Sequence, residues 1–192
     1  MTTSDAASVV SAADLVSYNP SYPWYAIRVR SRSENFVYTA LQAKDLSGFL
    51  PTYTVRNRWS DRMKRVELPL FPGYVFCRID ISRRLPVLIT PGVVEIVGVG
   101  KTPEAIPESQ IEAIQIVARA GAPAMPWPYL REGQKVRITH GSLRGLEGIL
   151  LAAKKDFKIV ISIEMLQRSV AVEIDRDSIE PKDFYGNFKA AV

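Results

Sequence analysis

A proline-rich stretch divides this 192-residue chain into two segments with different patterns. The stretch GAPAMPWPY, residues 121–129, contains Pro123, Pro126 and Pro128 and shows no periodicity. Before it, strand patterns alternate with helix patterns, whereas only strand patterns follow it. The sequence therefore predicts two domains joined by a proline-rich linker, residues 121–130.

The first segment predicts an α/β sandwich over residues 23–120. WYAIRVR, GYVFCRI and GVVEIVG each read as a strand. Ser31 and Glu34 have the spacing of a capping box, before a helix that we expect to end at Gly48. The stretch IPESQIEAIQIVARAG predicts another helix, which ends at Gly121.

The second segment predicts a small all-β barrel over residues 131–182. Four alternating runs and a short fifth one follow the prolines, at Lys135–Thr139, Gly145–Leu151, Lys158–Ile163, Ser169–Ile174 and Ser178–Glu180. Five short strands without a helix pattern are typical of a closed barrel.

We interpret residues 1–22 as a disordered leader, since they lack the basic start and apolar centre of a signal peptide. Residues 183–192 are interpreted as a C-terminal tail.

Basic residues are concentrated in two clusters of a chain whose net charge is +5. One cluster spaces its arginines by two, which predicts a basic strand face: Arg28, Arg30 and Arg32. The other lies in VRNRWSDRMKRV, a hairpin-like segment with one acid, and comprises Arg56, Arg58, Arg62, Lys64 and Arg65. A solvated face explains either cluster alone, but the two together favour contact with nucleic acid.

The sequence offers little for catalysis. His140, the only histidine, lies beside a glycine in a predicted turn, and Cys77, the only cysteine, lies on the aliphatic face of a strand. There is no Walker loop, no dinucleotide fingerprint and no zinc spacing. We therefore predict a binding protein, not an enzyme, without a metal or cofactor. The cysteine content and the lack of a 20-residue apolar run predict a cytoplasmic protein that does not contact membranes.

The strand that starts at Gly73 has one unusual face. Alternation places Tyr74, Phe76 and Arg78 on one side, and aliphatic residues with Cys77 on the other. The aliphatic side is suited to a core. Because a face meant for water has no use for two aromatics, we expect this side to bind a partner.

These segments resemble the NusG-like transcription elongation factors. WYAIRVR, PLFPGYVF, and TPGVVEIVG followed by AIPESQIEAI are similar to successive parts of that family's N-terminal (NGN) domain. VRITHGSLRGLEGIL resembles its KOW motif, in which Gly141, Gly145 and Gly148 allow tight turns and close backbone approach. The resemblance covers residues 24–181 in the family's domain order, and it is the combination of motifs that makes it specific.

The resemblance implies an NGN domain with an antiparallel sheet, which docks on the clamp helices of the largest β-type subunit of RNA polymerase. It also implies an SH3-like KOW barrel that recruits other factors, and a monomer is expected. We expect Tyr74, Phe76 and Ile96 to line the docking pocket, with Trp24 and Leu41 shaping its floor, although plain core packing explains the last two better. The basic clusters would face upstream or non-template DNA, and the bound factor would suppress pausing and termination.

Two departures bear on the role within the family. GSLRGLEG and SIEMLQRSVAVEI differ from the turns of the housekeeping factor, which favours a specialised paralogue that antiterminates long operons such as polysaccharide clusters. A housekeeping factor that couples to a ribosomal protein or to Rho stays open, as does a ribosome- or RNA-binding KOW protein. We expect partner choice to depend on outward-pointing tips at Leu143, Leu146, Ile163 and Leu166. The two domains should tumble independently unless a specific interface forms.

Overall fold

The computed structural model describes residues 22–59, 62–129, 133, 135–153, 156–174 and 178–181. The predicted leader, apart from Tyr22, and the predicted tail lie outside these residues, as does the tip of the basic hairpin. Among the residues described, no helix is long and apolar enough to cross a membrane.

The N-terminal domain is a mixed α/β fold. Its elements in chain order are β1 (Trp24–Val29), α1 (Glu34–Gln42), β2 (Ser47–Phe49), β3 (Thr52–Trp59), β4 (Arg62–Pro69), β5 (Tyr74–Arg78), α2 (Leu85–Leu88), β6 (Val93–Ile96), β7 (Gly98–Val99), β8 (Thr102–Pro103) and α3 (Glu108–Ala120). Four strands form one antiparallel sheet in the order β2-β5-β1-β6. Strands β3 and β4 form a separate two-stranded ribbon, as do β7 and β8.

Helices cover both faces of the four-stranded sheet, because both faces carry apolar side chains. On one side, Val37 and Leu41 of α1 pack in a cluster with Ile27, Val75 and Cys77. On the other side, α3 buries Ile111, Ile114 and Val117. Alternation along β1 and β5 therefore sorts their residues into two separate cores.

The first helix begins later than its predicted capping box. Ser33, not Ser31, is the N-cap residue, and its side chain makes no capping hydrogen bond. The Glu34 carboxylate is buried and instead accepts a hydrogen bond from the backbone N–H of Gly73 at 2.9 Å. This tertiary contact joins the helix to the start of β5. Gly48 does not end the helix, because it pairs with Cys77 inside β2.

The C-terminal domain is an antiparallel sheet. Its strands are β9 (Ala124–Pro128), β10 (Lys135–Ile138), β11 (Glu147–Ala153), β12 (Asp156–Ile163), β13 (Arg168–Ile174) and β14 (Ile179–Pro181), in the spatial order β14-β10-β11-β12-β13-β9. Its interior is formed by branched residues that include Val136, Ile159, Ile161 and Val170. Each of the five predicted strands is present within two residues of its expected ends.

The predicted linker is partly a strand. Ala124–Pro128 pairs with β13, so the prolines belong to the edge of the C-terminal sheet. Since the Glu173 N–H donates to the Pro123 carbonyl and this spacing repeats every second residue, Met125 and Trp127 occupy the hydrogen-bonded pairs. Pro126 and Pro128 then occupy the positions whose nitrogen faces away from β13. Proline is tolerated there because no ladder bond is lost.

The two domains are in contact. One continuous hydrophobic cluster contains Phe76 and Ile114 from the N-terminal domain together with Val136 and Ile161 from the C-terminal domain. The backbone N–H of Glu164 also donates to the side-chain carbonyl of Gln110 on α3, at 3.3 Å. Independent tumbling was expected unless a specific interface formed, and the structure contains such an interface.

Candidate functional site

One face of the four-stranded sheet carries a group of aromatic side chains, here called the aromatic face: Trp24, Phe49, Phe71, Tyr74 and Phe76. The β1–β5 and β2–β5 registers bring strand residues together, since Ala26 and Phe49 both lie opposite Phe76. The ring centroids of Phe71 and Phe76 are 5.4 Å apart in an edge-to-face arrangement. Phe49 lies 6.2 Å from both Trp24 and Phe76. These distances are typical of favourable aromatic pairs.

Tyr74 lies at the accessible margin of the aromatic face. Phe76 is 0% exposed and Trp24 4%, whereas Tyr74 is only partly buried. Phe71 and Phe49 cover Phe76 from within the same domain, and neither residue was part of the predicted pocket. The strand pattern identified the face, but exposure depends on residues that are distant in sequence.

The predicted pocket of five residues is not formed. Leu41 and Ile96 belong to the cluster beneath α1, on the opposite side of the sheet from Tyr74, Phe76 and Trp24. Ile96 lies opposite Ile27 in the β1–β6 register, which assigns both to that other core. The preference for core packing at Trp24 and Leu41 agrees with their burial.

Arg78 closes one end of the aromatic face. Its guanidinium lies 5.0 Å from the centroid of the Trp24 ring and forms an ion pair with the Glu108 carboxylate. The Trp24 indole N–H also donates to this carboxylate, at 3.4 Å. Glu108 is the first residue of α3, so this contact fixes the start of that helix against the sheet. Sequence reasoning placed Arg78 on this face but missed Glu108.

The C-terminal domain contacts the aromatic face at Tyr74. The Arg168 guanidinium lies 5.9 Å from the centroid of the Tyr74 ring, within the range of a cation–π contact. Arg168 is the first residue of β13. Tyr74, which like Phe49 is only partly buried, therefore also belongs to the contact between the domains.

The three spaced arginines do not form one strand face. Strand β1 ends at Val29, and Arg32 has a left-handed backbone with φ of 63°. Only Arg28 lies in the strand, where it forms a 2.9 Å ion pair with Glu95. The chain turns after Val29, so the spacing by two no longer corresponds to one face. Arg28, Arg30 and Arg32 are nevertheless solvent-exposed.

The second basic cluster lies on the β3–β4 ribbon. The register pairs Arg56 with Arg65, Asn57 with Lys64, and Trp59 with Arg62. The predicted hairpin arrangement is therefore present in the backbone, and Arg58 is paired with Met63.

The predicted recruitment tips are not outward-pointing. Leu146 and Ile163 are fully buried, and Leu143 and Leu166 are 8% exposed. All four belong to the hydrophobic cluster. An exposed leucine patch is therefore absent at these four positions. Local geometry favours glycine at two positions of the KOW motif. Gly141 has a left-handed backbone with φ of 78°, and a Cβ on Gly148 would meet the Val160 carbonyl oxygen at 2.5 Å.

Cys77 and His140 are the single cysteine and the single histidine of the chain. Cys77 is buried, and desolvation raises the pKa of its thiol to about 12, so the thiol stays protonated near neutral pH. The imidazole of His140 is exposed, with Nδ1 2.6 Å from the Thr139 hydroxyl. Within the described ranges, no cluster of histidine, cysteine or carboxylate residues is suited to a metal ion.

Comparisons with known proteins point to one family. The family described as "Transcription termination factor nusG" matches residues 22–115. The "Transcription termination/antitermination protein NusG" of Lactococcus lactis is 30% identical over 135 residues, which cover 68% of this chain and 72% of that protein. The protein of the same name from Campylobacter jejuni is 26% identical over 178 residues, 83% of this chain and 97% of its own.

A solved structure, described as "Domain interaction in Thermotoga maritima NusG", matches with a TM-score of 0.51 at 19% identity. The match covers 84% of this chain and 97% of the other. At this level of identity the likeness shows a shared fold.

Proposed function

The chain belongs to the NusG family of transcription termination and antitermination factors, and we propose that its aromatic face binds the clamp helices of the largest β-type subunit of RNA polymerase. The factor bound there suppresses pausing and acts in antitermination. The observation that carries this proposal is the concentration of aromatic side chains on one sheet face, with Tyr74 at its accessible margin. Aromatic anchors of this kind usually supply most of the energy of a protein interface.

The C-terminal domain partly covers the aromatic face at Tyr74. Arg168 lies over the Tyr74 ring, so a helical hairpin packed on Tyr74 would take the place of that contact. The proposal therefore includes a displacement of Arg168 when polymerase binds. The aromatic residues deeper in the face, Phe76 and Phe71, hold the shape of the surface instead of contacting the partner directly.

The test is the affinity of the full chain for an isolated clamp-helix fragment. Tyr74→Ala should weaken binding about 30-fold, since a hot-spot residue contributes about 2 kcal/mol. Tyr38→Ala is the matched control: Tyr38 is also half-buried, but it packs on the α1 side of the sheet. Unchanged affinity in Tyr74→Ala, or an equal loss in both variants, would contradict the proposed surface.

Phe76→Ala is a poor probe of the same surface. Its ring is fully buried against Phe71 and Phe49, and truncation of such a residue costs about 3–5 kcal/mol of folding stability. A loss of binding in this variant would not separate a lost contact from an unfolded domain. Tyr74 alone therefore carries the test.

The same measurement separates the proposal from an RNA-binding alternative. A ribosome- or RNA-binding KOW protein would show affinity for structured RNA and none for the clamp-helix fragment. The family membership and the aromatic face both support the polymerase-binding reading, because a scaffold domain has no need of an accessible aromatic margin.

We further propose that the basic ribbon contacts upstream or non-template DNA. The support is the Arg56–Arg65 cross-strand pair, together with Arg62 and Lys64 on the same ribbon. Contact between basic residues and a phosphate backbone requires no base recognition. Arg28, Arg30 and Arg32 are exposed in the same domain, and the proposal includes them in the contact with DNA.

The role within the family is proposed to be specialised antitermination on a few long operons, such as polysaccharide clusters, with other factors recruited through the C-terminal domain. The support is the altered turn chemistry of that domain, where Gln167 follows a short 3-10 turn with φ of 50°. Transcript mapping after deletion of the gene should show read-through lost in few operons. Genome-wide changes would instead favour a housekeeping factor that works with a ribosomal protein or Rho.

A further inference from the structure

We propose that β9 is a strap whose pairing with β13 sets how far the C-terminal domain can move from the N-terminal domain. Helix α3 is capped by Gly121 and β9 begins at Ala124, so only residues 122 and 123 lie between them. Three Cα–Cα steps span at most about 11 Å. While β9 stays in the sheet, the C-terminal domain is held beside the end of α3.

Detachment of β9 changes the length of the tether. The chain between Gly121 and Lys135, the first residue of β10, contains 13 residues. Fully extended, that length spans about 45 Å. Detachment of β9 thus increases the maximum tether length between the domains about fourfold. It does so without unfolding strands β10–β14.

The ladder of β9 is built so that the strand pairs on one side alone. Met125 and Trp127 supply the N–H groups that face Ala171 and Ser169 of β13. The nitrogen atoms of Pro126 and Pro128 face outward and carry no hydrogen. Strand β9 is five residues long and pairs with β13 alone, so it can separate without breaking the pairing between the other strands of the sheet.

One side-chain contact and one backbone pair fix the position of the strap on the C-terminal sheet. The Lys158 ammonium lies 5.6 Å from the centroid of the Trp127 ring, on the face of the sheet that β9 extends. Pro128 is paired with Arg168, the residue that contacts Tyr74. The far end of the strap is therefore adjacent to the contact between the domains. This inference goes beyond the proposed function, and its test requires no polymerase.

The test compares proline substitutions at inward and outward positions of the strap in the full chain. Met125→Pro with Trp127→Pro removes both N–H groups that face β13 and should detach β9. Ala124→Pro is the matched control, because position 124 lies in a non-hydrogen-bonded pair with Val172 and loses no ladder bond. Hydrogen exchange at the Ala171 and Ser169 amides reports whether the strap is attached.

The readout of domain movement is rotational tumbling measured by ¹⁵N relaxation. The native chain and Ala124→Pro should show one correlation time for both domains, whereas the inward double variant should show two shorter ones. A single shared correlation time in the double variant, with the Ala171 amide deprotected, would overturn the proposal. Release of the domains by Ala124→Pro would overturn it as well.

A reversible disulfide distinguishes detachment of β9 from unfolding of the double variant. Ala124→Cys with Val172→Cys, added to the inward double variant, places a disulfide in a non-hydrogen-bonded pair, where the Cα atoms lie about 4.5 Å apart. Oxidation should restore one shared correlation time, and reduction should return two. Two correlation times in the oxidised protein would refute the strap, since the short tether alone would then not hold the domains together.

Discussion

Arg78 is an uncommon residue for the interior of a sheet. Its side chain is 4% exposed, lies over the Trp24 ring and is paired with Glu108, whose side chain is 46% exposed. A buried guanidinium is tolerated only where a carboxylate and further acceptors compensate for lost hydration. The pair thus makes the position of α3 depend on one carboxylate at its first residue.

Glu108→Gln should lower the free energy of unfolding by about 1–2 kcal/mol, because the buried Arg78 charge keeps only a neutral partner. The estimate stays at the lower end because Glu108 is half-exposed and solvent already screens the pair. Glu112→Gln, one turn along the exposed side of the same helix, should change stability by less than about 0.5 kcal/mol. Urea unfolding of both variants measures the difference, and equal values would show that the ion pair contributes nothing specific.

At this scale, the sequence predicted the direction of side chains better than their exposure. Alternation correctly placed Tyr74, Phe76 and Arg78 together and Cys77 on the opposite face. It did not show that Phe71 and Phe49 cover Phe76, or that Leu143 and Leu166 fold inward. Those outcomes depend on contacts between distant segments, which a local pattern does not contain.

The basic ribbon is the element for which the register matters most. Arg56 and Arg65 are directly opposed, and Lys64 and Arg62 occupy the adjacent positions of β4. The basic residues of this ribbon extend from Arg56 to Arg65, so they occupy its distal half instead of a single point. Its contact with a polyanion is therefore expected to be extended, insensitive to sequence and sensitive to salt.

Replacement of Arg56, Arg58, Arg62, Lys64 and Arg65 by Gln should weaken DNA binding at low salt by at least about tenfold and flatten its salt dependence, because fewer counterions are released. Binding to the clamp-helix fragment should stay within about twofold of the native affinity, as expected for surface positions outside that interface. Filter binding across a salt series measures the first quantity, and fluorescence anisotropy measures the second. A parallel loss of both would mean that the ribbon belongs to the protein interface.

The proline-rich stretch shows why elements are harder to predict than motifs. Three prolines without periodic hydrophobicity indicate a linker, yet Ala124–Pro128 is a strand. The signal that could have revealed the strand is the spacing of Pro126 and Pro128 by two. Met125 precedes the first of these prolines, and Trp127 lies between them. That spacing is compatible with one-sided pairing, but only knowledge of β13 as a free edge makes it a strand.

The two domains form one connected hydrophobic cluster instead of independent units. Residues from β5 and α3 meet residues from β10 and β12 in it, and Arg168 reaches Tyr74 across the boundary. The C-terminal domain thereby influences the N-terminal surface that is proposed to bind polymerase. The motifs predict the order of the two domains. The contact between the domains depends on their three-dimensional arrangement, which the motifs do not contain.

A chain shortened to residues 1–122 should bind the clamp-helix fragment about threefold more tightly than the full chain, since loss of one exposed cation–π contact corresponds to roughly 0.5–1 kcal/mol. Arg168→Gln in the full chain serves as the control, because it removes the same contact and keeps the C-terminal domain. Titration calorimetry measures both. Weaker binding by the shortened chain, with its circular dichroism spectrum intact, would show that the C-terminal domain takes part in binding.

The alternate prolines of β9 also matter before the protein is complete. Strand β9 precedes β13 in the chain, so it leaves the ribosome before its partner has been synthesised. During that interval an unpaired strand edge invites association with neighbouring nascent chains on the same messenger. Pro126 and Pro128 remove two of the three donors from the outer edge, so a waiting β9 can join its own β13 and offers a poor second edge for the growth of an aggregate.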